Sequence, residues 1–145
     1  HLSLRRQRQM CIRDRQIIDD YPKELVSPVD WMDEKQNIND RVRSYLDVNC
    51  GHCHSPTGNA NSTGLYLHLD ETRDVHLGLY KKPVATGRGS GGLKYSIVPG
   101  KPDESILLHR MISLDPGVMM PESGRALSHT EAVEMVREWI LVMED

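Results

Sequence analysis

Cys50-Gly51-His52-Cys53-His54 is the stretch from which the rest of the chain is read. Two cysteines at i and i+3 on one helical turn project to the same side, so both thiols reach the two vinyl groups of one porphyrin. The histidine that follows is then placed under the iron, where an imidazole nitrogen serves as an axial ligand. A bare C-x-x-C also serves zinc sites and thiol–disulfide exchange. Structural zinc takes a second pair of ligands, and here only scattered histidines are available. A thioredoxin-like motif accompanies a βαβ pattern, and none is readable. The run therefore points to one covalently attached haem c, with Cys50 and Cys53 as attachment sites and His54 as the first iron ligand.

The composition agrees with a domain built around a prosthetic group. Of 145 residues, 38% are hydrophobic and 5% aromatic, with no Phe. That is a thin apolar supply for one domain of this length, and a porphyrin adds apolar surface around which short helices pack. Of the three cysteines, Cys11 stands apart and the other two belong to the motif, which leaves none for a disulfide framework. No stretch approaches the ~20 apolar residues of a membrane span.

Residues 1–15, HLSLRRQRQMCIRDR, form a separate piece without apolar period. QRQMCIRDR looks like the translated read-through of a sequencing adaptor, so this arm is expected to be non-native or disordered. It holds five of the 18 basic residues; without it, 13 Lys and Arg face 20 Asp and Glu, a net charge of about −7 rather than −3. Such a balance argues against nucleic acid and anionic membrane as partners. Residues 16–38, with Pro22, Pro28 and Trp31 and no period, are expected to be a linker or the tail of a missing upstream domain. The domain proper is expected over 39–145.

Within it, a helix is expected to start at Asn39 or Asp40 and to bury Val42, Tyr45, Leu46 and Asn49, leading straight into Cys50. Ser55 to Asn59 breaks it. Leu65, Leu67 and Leu69 alternate, as in a short extended segment along an apolar surface. Gly87 to Gly92 matches G-x-G-x-x-G, but no helix follows it, so a nucleotide site is rejected and a flexible loop expected. A second helix should begin at Asp103 or Glu104 and run through Ile106, Leu107, Arg110 and Met111. The last is announced by Ser128-x-x-Glu131, a capping box, with Ala132, Val136, Trp139, Ile140 and Met143 as its buried stripe.

The second axial position needs a ligand from elsewhere. Met120, held before Pro121, is the preferred candidate, because a thioether favours Fe(II) and suits single-electron traffic. Met119 and His109 are the alternatives. No other histidine is given a ligand role.

With the haem pair, the Met-Pro loop and the final helix in place, the chain resembles a bacterial class I-like c-type cytochrome domain. More narrowly, it resembles those found at the C-terminus of larger multidomain secreted proteins and the planctomycete-type cytochrome c domains. The resemblance rests on the run Arg41 to His54, on Pro99-Gly100-Lys101-Pro102-Asp103-Glu104-Ser105, on Met120-Pro121 and on Arg137-Glu138-Trp139-Ile140. It implies an all-α, cytochrome c-like fold of three to four short helices around one haem, with the first and last helices packed together. It implies Cys50 and Cys53 as thioether sites, His54 as proximal and Met120 as distal ligand. The implied function is electron transfer in the periplasm or outside the cell, with electrons arriving from a fused or partner oxidoreductase; the domain itself is a carrier rather than a catalyst. The alternative is a haem-based catalyst or gas sensor with an open or displaceable distal position. Glu122 stands where the family usually has a second proline, and a long irregular insert separates the two iron ligands.

Overall fold

In the computed structural model, which describes residues 27–144, helix α1 (Ile38–Leu46) starts earlier than its apolar spacing suggests. Asn37 is the cap, its side-chain oxygen accepting from the Asn39 N–H at 2.8 Å. The short Asn side chain satisfies a donor that has no partner inside the helix. Val42, Tyr45 and Leu46 are buried on the expected face. Arg43 and Ser44 are buried as well, on a flank that the apolar pattern leaves unmarked. The helix then widens into one π-helical turn, Asp47–Gly51, which carries Cys50.

Chain direction changes often between here and the next long element. Single turns of 3₁₀-helix occur at Asn61–Thr63, Gly87–Ser90 and Pro102–Glu104, and α2 (Asp74–Leu77) is one turn long. Two isolated parallel bridges, Leu79 to Ile97 and Tyr95 to Ser105, are the only extended pairings among the described residues, which contain no strand. This is the long insert. Its glycine-rich part is packed rather than loose: Gly91 lies under the His109 ring, Gly89 lies against the Arg110 guanidinium, and Arg88 pairs with Asp115 at 3.0 Å. A Cβ at 91 would fall 2.5 Å from His109 Nε2, and φ of +59° there also favours glycine, whereas one at 89 would only be tight against Arg110 at 3.3 Å.

Helix α3 (Ile106–Ile112) begins two or three residues after the expected start, with Ser105 at its cap. Ser105 is fully buried; its hydroxyl donates to the Lys101 carbonyl at 3.0 Å and accepts from the Val98 N–H at 2.9 Å. It thereby pins the Pro99–Gly100 turn to the helix. Helix α4 (Thr130–Leu141) begins one residue later than a capping box requires. His129 holds the cap position without a side-chain bond, and the Ser128 hydroxyl donates instead to the Met111 carbonyl at 3.2 Å. Ser128 thus ties α4 to the end of α3 rather than capping its own helix.

The core lies between α1, α3 and α4. Ala132, Val136, Trp139 and Ile140 form the buried stripe of α4 together with Val133 and Met135, and they meet Val42 and Leu46 of α1 and Leu108 of α3. Each such fully enclosed aliphatic contributes about 1.5–3 kcal/mol by leaving water. Trp139 Nε1 donates to Asn39 Oδ1 at 3.1 Å, which fastens α4 to the start of α1. The regular structure of the described residues is thus helical, with no strand, as an all-α fold requires. Among them no helix is long and apolar enough to cross a membrane. The expected arm at 1–15, with Cys11, and the first part of the expected linker, 16–26, lie outside the described residues.

Candidate functional site

Cys50, Cys53 and His54 stand on consecutive turns at the end of α1. The Cys50 carbonyl accepts from the N–H groups of Cys53 at 3.1 Å and His54 at 2.8 Å, so the helical course persists through the motif. All three side chains border one cavity of about 660 Å³, within the range of ~300–1,000 Å³ that holds cofactor-sized molecules. Helix α3 supplies its floor through Ile106, Leu107, Arg110 and Met111, the four positions expected to carry that helix. Leu65 and Leu67 of the extended segment, together with Val133 of α4, continue the apolar wall.

His54 is oriented from the insert. Its Nδ1 faces the Leu65 carbonyl at 3.3 Å; since a carbonyl only accepts, Nδ1 carries the proton and Nε2 keeps its lone pair. A second bond, Leu67 N–H to the His54 carbonyl at 2.8 Å, ties the same two segments together. Burial lowers the His54 pKa below the usual histidine range, with Arg110 acting the same way and the Leu65 bond opposing. Neutral imidazole is the form that ligates a metal.

Burial pushes the Cys50 thiol up to about 12, with Cys53 adding to the effect. A thiol so held is a poor nucleophile for disulfide exchange, which runs through the thiolate. Neither cysteine is in a disulfide. Among the described residues, no three His, Cys, Asp or Glu side chains converge as a metal-holding group.

Met120 borders the cavity, and neighbouring Met119 does not. The Met120 N–H donates to the Arg110 carbonyl at 3.0 Å, so the loop that carries it is fastened to α3. The peptide between Met120 and Pro121 is cis. His109 turns away from the cavity and rests on Gly91. Four of the residues singled out from sequence, Cys50, Cys53, His54 and Met120, are therefore brought to one cavity, while Met119 and His109 are not.

Several side chains at the cavity carried no signal in the sequence. Tyr45 borders it, and its hydroxyl meets His129 Nδ1 at 3.0 Å. Trp31 packs edge-on to both rings, at 5.5 Å from Tyr45 and 5.2 Å from His129, so it belongs to the wall of the domain. Arg110 and Arg125 border the cavity too. Arg110 has the position of an ordinary cation near a helix end, and Arg125 sits in an irregular loop; neither spacing advertises a site.

No known protein family, curated protein or solved structure matches the chain.

Proposed function

We propose that the domain is an electron carrier of the c-type cytochrome kind, with a cytochrome c-like arrangement of its helices around one haem. The observation that carries this reading is the convergence of Cys50, Cys53, His54 and Met120 on a single cavity from distant parts of the chain. The residues fit the group: two thiols on successive turns, a neutral imidazole with Nε2 available, a thioether from a separate loop, and apolar walls between. Cys50 and Cys53 would hold it by thioether bonds, and His54 and Met120 would supply nitrogen and sulfur to its iron. A one-electron Fe(III)/Fe(II) couple is what such a group supplies when bound.

The remaining work falls to the protein. The Leu65 carbonyl fixes the ring of His54 and its tautomer, which strengthens the imidazole as a donor. The Met120 N–H bond to Arg110 limits the movement of the loop that carries the thioether. Leu65, Leu67, Ile106 and Leu107 exclude water from the cavity wall. Rigid ligation keeps reorganisation small, and that suits electron transfer better than bond-making chemistry. The expected setting is the periplasm or the cell exterior, with a fused or partner oxidoreductase as electron source. A haem-based catalyst or sensor would need a displaceable sixth ligand; His109, the polar group considered for that role, rests on Gly91 outside the cavity.

The test is expression of the full chain with haem-maturation machinery. Haem that survives acid-acetone extraction supports covalent attachment, and a chain without bound haem sinks the reading. Met120→Ala should abolish the red Met–Fe(III) charge-transfer band, whereas Met119→Ala should keep it. A band indifferent to both changes would remove Met120 from the iron.

A further inference from the structure

Two guanidinium groups stand at a cavity whose wall is more apolar than polar, and among the described residues neither forms an ion pair. Arg110 is anchored by its Nε, which donates to the Val118 carbonyl at 2.8 Å; this is its single side-chain hydrogen bond among the described residues. Arg125 is held by its fork: Nη1 donates to the Met111 carbonyl at 2.6 Å, and Nη2 to the carbonyls of Arg110, at 3.2 Å, and Ser113. Its Nε is buried with no partner. Carbonyls hold these cations in place without cancelling their charge.

A cation taken from water without an anion costs several kcal/mol, and a guanidinium presents the fork that fits a carboxylate. Glu122 borders the cavity as well and its charge acts on Arg110, but it is exposed and stands beyond ion-pair distance of either guanidinium. Lys81, half-buried, and His129, exposed, also border the cavity, but water compensates them more readily. The pair is therefore built for an anionic end on whatever fills the cavity.

We propose that Arg110 and Arg125 receive the carboxylates of the haem that Cys50, Cys53 and His54 hold, and by doing so raise its reduction potential. The inference rests on the electron-carrier reading above. A carboxylate near the iron favours Fe(III), and a paired guanidinium offsets that preference. Removing either cation makes the oxidised form easier to reach.

The experiment is redox titration of the haem-loaded full chain, followed by its visible spectrum. Arg110→Gln and Arg125→Gln should each lower the midpoint potential by the equivalent of a tenfold change in the oxidised-to-reduced ratio, about 59 mV for one electron. Arg125→Lys keeps the charge and loses the fork, so it should melt earlier yet hold its potential. Arg137→Gln, which breaks a surface pair with Asp103 away from the cavity, should leave the potential unchanged. Arg110 makes so few bonds that its glutamine variant carries the test if Arg125→Gln does not accumulate. Unchanged potentials in glutamine variants that keep haem and the Met–Fe(III) band would overturn the assignment and leave the electron-carrier reading standing. Loss of that band in Arg110→Gln would make Arg110 a support for Met120 and overturn its assignment. Absence of covalent haem in the unaltered chain would remove the reading itself.

Discussion

Gly58 shows how tightly the C-x-x-C-H turn is closed. A Cβ there would fall 2.9 Å from the His52 carbonyl oxygen and closer still to the carbonyl of Cys53. Those are backbone atoms of the C-x-x-C-H turn, with no flexible side chain to give way. The Cys53 carbonyl also accepts from the Ala60 N–H at 3.0 Å, so the loop folds back directly over the motif. Gly58→Ala is expected to cost about 2 kcal/mol, the usual scale of overpacking, and to lower the yield of covalently attached haem. Thermal melting and acid-acetone extraction measure the two effects. A variant with normal stability and normal haem content would mean that the turn relaxes freely.

At the scale of elements, the insert is held to α1 by buried charge as well as by Leu67, which joins Val42 and Leu46 in the core. One Nη2 of Arg43 donates to the carbonyls of His68, Leu69 and Glu71, at 2.9, 2.8 and 2.7 Å, which gathers a turn whose own backbone bond is Glu71 N–H to the His68 carbonyl at 3.1 Å. Glu71, nearly buried, closes the same turn from the other side. It accepts from Arg73 at 2.7 and 2.8 Å and faces His76 at 3.3 Å. The Arg73 hydrogen bond is the main reason that its carboxyl titrates well below the usual carboxylate range. A carboxyl depressed in the folded state stabilises the protein above the ordinary carboxylate range, and the benefit is lost as pH falls toward the folded value. Glu71→Gln should therefore unfold at lower denaturant than the parent at pH 7, with the gap narrowing as the pH is lowered below about 4. A gap independent of pH would show that the carboxylate charge plays no part.

Among the described residues, three helices form the core and a large cavity is set into its side. The cavity is open at its mouth, so water enters it when nothing else does, and the apolar faces of Leu65, Leu67, Ile106 and Leu107 then stay wet. The chain without haem is expected to be largely unfolded, with weak helical circular dichroism and no cooperative melt. A cooperative, fully helical apo form would show that the core around Val42, Val136 and Ile140 suffices alone.

What the amino-acid order determined by itself is local. The C-x-x-C-H spacing acts within one turn, and the stripe of α4 needs only a helical period, so both are legible from neighbours in the chain. The same holds for the packing face of α1 and for the helical character of the domain. Helix starts were displaced because side chains had tertiary work: Ser128 reaches Met111 rather than capping α4, and Ser105 bonds the Pro99 turn. Tertiary structure alone decided that Leu65 orients His54 and that Arg110 and Arg125 join the cavity, whereas Met120 was already preferred over Met119 for its place before Pro121. Those choices arise where an irregular insert folds back on helices far away in sequence. No period encodes such contacts. Carbonyls carry no side-chain signature, and a charged residue at a helix end looks the same whether it meets solvent or a cavity. The five residues Cys50 to His54 could announce a haem, but its surroundings depend on segments that only the folded chain brings beside them.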